Sequence, residues 1–373
     1  MSDVVPNIEH VLPNETLSAI FEILPLPLLA DIARVSRRFR AVAERVLYST
    51  IHVRDFISTT ASQPWRTTRC CDSLLQRPHL LESIRIFHIR WQTTERTSLS
   101  ALDLELASVK LSDTLRTLHF LDSLELTLGP ANMAAADHAH LHPIERIIRG
   151  CRFPHLRSCS FGADWAKGVQ SYSTILDSFL SSVPLLRHLK LSDHHGVLNL
   201  QSDALPSLLS FRGSTDTAAY ILPGRPVQSL SLIGQDSDVT RDNLPRFTHA
   251  TTPLRFLDLS AMSVRPILLR NIATYLPMIE VIRIRLTLRH TLHYALSGIR
   301  LLTGLSPVLH AFSRLTLLDL SPTVVAGLPQ STGNEESALC IEWSRACPTL
   351  QRIVFPSQTE WAIGHDGAWE PAN

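Results

Sequence analysis

Lysine is almost missing from this sequence. Of 35 basic residues only Lys110, Lys167 and Lys190 are lysine, and the rest are arginine. Glycine is scarce as well, at 14 of 373 residues. No glycine-rich phosphate loop, nucleophile elbow or HExxH motif occurs, so no catalysis by the chain itself and no cofactor is expected. The six cysteines, at positions 70, 71, 151, 159, 340 and 347, form neither a CxxC framework nor a dense disulfide pattern. Their scatter suits a reducing, intracellular compartment. No run approaches the ~18 apolar residues of a membrane span. Met1-Ser2-Asp3-Val4-Val5-Pro6 has no basic n-region and no apolar h-region, so a cytoplasmic or nuclear protein is expected. Acidic and basic residues balance to a net charge of +1, which argues against a general nucleic-acid binder.

What is present is leucine, 60 residues of it, in a chain that is 45% hydrophobic and only 18% charged. That composition excludes a largely disordered chain. The length allows two or three domains, or one domain with an elongated repeat array.

Residues 12–50 carry three short helical patterns. Leu17, Ile20, Phe21 and Leu24 fall at helical spacing after Pro13, and Pro25 and Pro27 are expected to stop that helix. Leu28, Leu29, Ile32 and Val35 suit a second helix. Ser36 is a good N-cap for a third, with Phe39, Val42, Val46 and Leu47 on one side. A bundle of about 40 residues encloses only a small core. The apolar residues exceed what it can bury, so some are expected to pack on the rest of the chain or on a partner.

This segment resembles an F-box, the helical module that docks on the adaptor Skp1 of cullin–RING ubiquitin ligases. The resemblance lies in Leu12-Pro13, Glu15, Ile20-Phe21, Leu24 and Val35-Ser36-Arg37-Arg38-Phe39. It implies Skp1 contact by Leu12, Pro13, Ile20, Leu24, Leu28, Val35 and Phe39, with Phe21 and Ile32 inside the module. One departure is Leu28, where many F-boxes carry an Asp that caps the second helix, so the start of that helix lacks this cap.

From residue 78 onward an apolar signature recurs at relative positions 0, +3 and +5. It reads Leu81/Ile84/Ile86, Leu115/Leu118/Phe120, Leu156/Cys159/Phe161, Leu186/Leu189/Leu191, Val227/Leu230/Leu232, Leu254/Leu257/Leu259, Ile279/Ile282/Ile284, Leu315/Leu318/Leu320 and Leu350/Ile353/Phe355. A weaker copy has Leu208 and Phe211 with Gly213 in last place. Copies are about 19 to about 41 residues apart, overlapping the leucine-rich-repeat range. Each fits one strand, since alternate residues share a face. Helical patterns lie between, at 144–149, 172–183 and 266–276. Strand, crossover and parallel strand repeated make a right-handed solenoid. The region resembles the irregular leucine-rich repeats behind many F-boxes. The Asn of the standard repeat turn is replaced by Asp164, His194, Gln235, Met262, Thr287, Thr323 and Gln358, so those turns must satisfy their backbone differently.

Two clusters invite chemistry. Asp137-His138-Ala139-His140-Leu141-His142 places His138, His140 and His142 on one face of a strand, or His138 and His142 one turn apart on a helix. The spacing is that of a weak metal candidate, with no Cys or Glu to complete it. Arg283, Arg285 and Arg289 form a basic patch suited to an acidic target, and a solvated strand face explains it equally well.

The expectation is an α/β chain with a three-helix F-box at 8–50, a connector at 51–77, a right-handed irregular leucine-rich-repeat solenoid with a parallel sheet at 78–356, and a cap or tail at 357–373. The function expected from the resemblance is a non-catalytic substrate receptor, held by a Skp1-like adaptor and through it a cullin, with an unidentified protein target. The alternative is an interaction scaffold whose F-box-like helices only cap the solenoid.

Overall fold

The computed structural model describes residues 12–58, 61–93, 101–129, 142–163, 172–287, 302, 304–324 and 333–372. The chain divides into two compact units, Met1–Leu186 and Arg187–Asn373.

The first unit opens with α1 (Asn14–Glu22), α2 (Leu26–Ile32) and α3 (Arg37–Ser49). Leu17, Phe21, Leu29, Val42 and Ala43 make their core, flanked by half-buried Leu12, Leu24, Ile32, Phe39, Val46 and Leu47. Phe21 and Phe39 meet edge-to-face with ring centroids 5.7 Å apart, the arrangement their quadrupoles favour. Ser36 caps α3 by accepting from Phe39 N–H at 3.1 Å. Pro25 precedes α2 and Pro27 lies in its first turn, where a missing N–H costs nothing. Pro27 therefore opens the second helix, rather than only stopping the first, and its fixed φ replaces the absent Asp cap. Arg38 ties the chain entering α1, donating to Asn14 Oδ1 at 2.9 Å and to the Leu12 carbonyl.

Helix α3 runs directly into β1 (Thr50–Ile57), which pairs in parallel with β2 (Ile86–Thr93). β3 (Ser123–Thr127) and β4 (Ser158–Gly162) continue the parallel sheet. The intervening helices are α4 (Trp65–Leu75), α5 (Pro78–Leu81), α6 (Ala101–Leu115) and α7 (Pro143–Ile148), followed by α8 (Ser173–Ser181). Packing of α4 on α6, α6 on α7 and α7 on α8 makes a helical layer. Gly150, just past α7, takes φ +77°, the left-handed helix stop its sequence position suggested.

Three readings of this unit need correction. The stretch 51–77 is not merely a connector, since it holds β1 and α4. Its strand was missed because the inward row includes the buried Asp55, which breaks the aliphatic signature. Asp55 is 1% exposed and accepts from Arg66 N–H (3.0 Å), Thr67 N–H (2.9 Å) and Thr67 Oγ1 (2.6 Å). Thr67 Oγ1 in turn accepts from Trp91 Nε1–H at 3.0 Å. A buried carboxylate is thus fully bonded to the first turn of α4, where the helix dipole favours it.

The next two corrections concern register. The residues facing inward from β2 are Phe87, Ile89 and Trp91, so the signature there is Ile84/Phe87/Ile89, three residues later than Leu81/Ile84/Ile86. In β3 it is Leu121/Leu124/Leu126, all buried, not Leu115/Leu118/Phe120. Leu115 ends α6, and Phe120 is exposed in a turn, stacked on His155. Leucines are so dense here that the same spacing fits two frames. The frame that wins starts after the helix has ended.

The second unit places β5 (His188–Leu191), β6 (Ser210–Ser214), β7 (Ser229–Ile233), β8 (Phe256–Val264), β9 (Val281–Leu286), β10 (Leu317–Asp319) and β11 (Arg352–Val354) side by side in parallel. The crossovers carry α9 (Thr215–Ile221), α10 (Leu244–Phe247), α11 (Pro266–Tyr275), α12 (Ser306–Leu309) and α13 (Gly333–Ala346). Eight of the ten sequence signatures fall in register here and in β4. One inward rung reads Leu189, Phe211, Leu230, Leu257, Ile282, Leu318 and Ile353 across seven strands, none more than 2% exposed. Gly213 is explained by the same packing. A Cβ there would lie 2.6 Å from the Phe211 ring, which already fills the place of a third leucine.

Three irregular turns of this unit solve their backbone problem separately. Thr323 accepts from Leu286 N–H at 3.0 Å and donates to the Ile284 carbonyl. His194 is fully buried, its carbonyl bonded by Ser214 and Thr217. Gln358, at φ +70°, donates to the Ser321 carbonyl. These groups do the work of the absent Asn. Residues 357–372 add β12 (Glu360–Ile363) and β13 (Trp369–Pro371), antiparallel to one another, with β12 antiparallel to β11. Glu336 of α13, 1% exposed, anchors this end by accepting from Ser357 Oγ (2.6 Å) and Trp361 Nε1–H (2.8 Å). The chain is thus an α/β, solenoid-like fold behind an N-terminal helical head.

Candidate interaction surfaces

The three-helix head leaves large apolar side chains in water. Ile23 is 82% exposed, Val35 67%, Leu26 64%, Leu28 43% and Ile20 39%. Ile20 lies in the last turn of α1, Ile23 just past its end, Leu26 and Leu28 in the first turn of α2, and Val35 in the turn before α3. Their exposure follows from geometry. Leu17 and Phe21 on α1, and Leu29 on α2, already occupy the small interior, and Ile20 and Leu28, one position from Phe21 and Leu29, and Ile23, two positions past Phe21, are turned away from it. Single exposed hydrophobes are ordinary, whereas a concentration of them marks an interaction site.

Among the seven residues carried over from the F-box resemblance, Pro13, Ile20, Leu28 and Val35 are exposed. Leu12, Leu24 and Phe39 are half-buried and pack on the head's own core. Ile23 and Leu26, among the most exposed apolar residues of the head, were missed because the family pattern does not mark them. The signal that could have found them is their place beside the core positions Phe21 and Leu29, on helices too short to bury both. Arg34, Arg37, Arg40 and Arg45 are exposed on and before α3, a solvated helix face.

Several polar groups on the strand faces opposite the core are paired within the fold. On the first unit, the His52 and His88 rings lie 4.7 Å apart, and His88 Nε2 is 3.0 Å from Ser123 Oγ. Arg90 pairs with Glu125 at 2.7 Å. Desolvation lowers the pKa of His88, favouring the neutral ring. On the second unit Ser231 donates to Asp258 at 3.1 Å, with Arg212 3.8 Å from the same carboxylate. Arg283, one of the three arginines expected to face an acidic target, already pairs with Asp319 at 3.2 Å. Arg285 is half-buried, with its Nε shielded and without a hydrogen bond among the described residues. Arg289 lies outside the described residues.

His138 and His140 likewise lie outside the described residues. His142 is fully buried at the start of α7, where Nδ1 accepts from Ile144 N–H at 3.2 Å and the ring packs on Tyr172. It serves as a helix cap. Among the described residues no group of three or more His, Cys, Asp or Glu is placed to hold a metal ion. An open groove of about 520 Å³ between α7 and α8 has Cys151 in its wall, but burial pushes that thiol up to about 12, so it is no nucleophile near neutral pH. No described helix is long and apolar enough to cross a membrane.

The family model described as F-box-like matches residues 10–54. These residues are an F-box-like domain. The exposed apolar cluster therefore belongs to the F-box-like domain, and the paired strand-face groups lie beyond it or at its very end. No curated protein matches the chain. Among solved structures, the chain is similar to one described as the TLR13–ssRNA13 complex, with 14% identity, TM-score 0.36, and coverage of 76% of this chain and 37% of that one. The chain thus spans little more than a third of the length of that match. The yeast Rad7 and Elc1 complex gives 15% identity and TM-score 0.26, covering 77% of this chain and 92% of that one. A protein from Bacteroides fragilis gives 14% identity and TM-score 0.27, with 58% and 64% covered. Scores this low transfer nothing from those proteins to this one.

Proposed function

We propose that this chain is the substrate-recognition subunit of an SCF-type cullin–RING ubiquitin ligase. The F-box-like domain docks on a Skp1-like adaptor, and the strand-bearing region holds the target protein. The observation that carries this reading is the apolar cluster of Ile20, Ile23, Leu26, Leu28 and Val35, standing in water on a module whose own core is full. Covering it removes apolar surface from water, at about 25 cal/mol per Å². The chain itself makes no covalent intermediate. Its contribution is proximity, raising the effective concentration of target lysines beside activated ubiquitin.

Co-expression with a Skp1-like adaptor, followed by size-exclusion chromatography, tests the reading. A one-to-one complex is expected. Ile23→Asp and Val35→Asp should each weaken it by about 2 kcal/mol or more, roughly thirtyfold in Kd, with an unchanged thermal melt. Absence of the complex, or a complex indifferent to both substitutions, overturns the proposal and favours a scaffold whose helices only cap the solenoid.

A further inference from the structure

We infer that the chain's near-absence of lysine spares it from modification by the ligase it serves; this rests on the receptor reading above and deepens it. Transfer of ubiquitin needs a neutral amine. The lysine Nζ attacks the thioester carbonyl, a C–N bond forms, the C–S bond breaks, and the thiol leaves with the proton the amine gives up. A guanidinium stays protonated and does not take part.

The structure separates arginines that must be arginine from those that need not be. Arg225 is buried, donating from Nε to the Ala204 carbonyl at 2.9 Å, from Nη1 to Ile221 at 2.8 Å and from Nη2 to Gln201 at 2.9 Å. A single ammonium cannot reproduce that fork. Arg152, Arg270, Arg314 and Arg345, by contrast, are exposed, and their guanidinium groups make no hydrogen bond or ion pair with another described residue. Lysine would serve the fold equally well at all four. Packing therefore does not account for its absence there, whereas avoidance of an acceptor does. Of the lysines that remain, Lys110 is held by both oxygens of Asp72, at 2.7 and 2.8 Å. Lys190 is half-buried on β5.

The test uses the full chain, N-terminally acetylated, assembled with adaptor, cullin, RING subunit, charged conjugating enzyme, ubiquitin and ATP. Wild type is compared with the charge-preserving set R152K, R270K, R314K and R345K. Two rates are read, ubiquitin attached to this chain and discharge of the conjugating enzyme onto free lysine. Because the added amines are tethered to the ligase, self-modification should rise about tenfold in the variant, with discharge unchanged. Equal self-modification with assembly and discharge intact, the result if arginine merely reflects codon usage, overturns this inference and leaves the receptor reading standing. Failure to assemble or to stimulate discharge overturns the receptor reading, and this inference with it.

Discussion

In the F-box-like domain Ile23 stands 82% exposed and Val35 67%, while across β5–β11 no side chain of the rung from Leu189 to Ile353 exceeds 2%. The two regions are built from the same residue types. They differ in how many neighbours the backbone supplies. A sheet strand flanked by two others and covered by a helical layer offers every inward residue a complete environment. Helices of nine and seven residues, α1 and α2, with α3 close a core of only five side chains and then run out of interior. Polar groups show the converse. On the strand face of the second unit Arg283 finds its partner within the fold, in Asp319.

The largest effect that would sharpen this contrast is a pair of truncations. Phe211→Ala, in the rung, should cost about 3–5 kcal/mol, whereas Ile23→Ala on the head should stay within about 0.5 kcal/mol. Urea unfolding of both measures it. A comparable loss for Ile23 would show that the head's outer residues pack within the molecule, and would break the comparison.

A second difference concerns thiols. The head has none, while burial pushes Cys71 to about 11, Cys151 and Cys340 to about 12, and Cys159 well above its usual value. These groups stay protonated in the fold but ionise in the unfolded chain near pH 9. Their stabilising contribution is therefore complete below pH 9 and is lost as pH rises from there toward 12. The slope is about 1.4 kcal/mol per pH unit for each such thiol. Chemical denaturation between pH 7 and pH 11 should show stability falling only above pH 9. A flat profile would mean the thiols are open to solvent.

The smallest effect lies within the head itself. Ser36→Ala removes the one side-chain cap of its three helices and should cost about 1 kcal/mol, read as a lowered melting temperature. An unchanged melt would show that the α3 start is held by packing alone.

Much of this was legible in the sequence because it depends on short-range rules. The Ser36 cap, the Gly150 stop and eight strand signatures follow from residues within a few positions of one another. The two misplaced signatures, at β2 and β3, show where that fails. When leucines fit two frames, only the end of the preceding helix chooses. β1 was invisible because its inward row includes Asp55, acceptable only when Arg66 and Thr67 arrive from α4 to bond it. At the candidate docking site, the family pattern marked Ile20, Leu28 and Val35 but not Ile23 or Leu26. Which of a run of apolar residues faces water is decided by how much interior three short helices can share.

The sequence by itself determined that an F-box-like head precedes a ragged array of parallel strands, that leucine builds the array, and that arginine takes nearly every basic position. Tertiary structure alone decided which leucines are inside, that Arg283 already has its counter-ion, that His142 is a helix cap, and that the head keeps five apolar side chains in water. The reason is physical. Periodicity and capping act over a few residues, but burial and charge compensation depend on groups that only folding brings together.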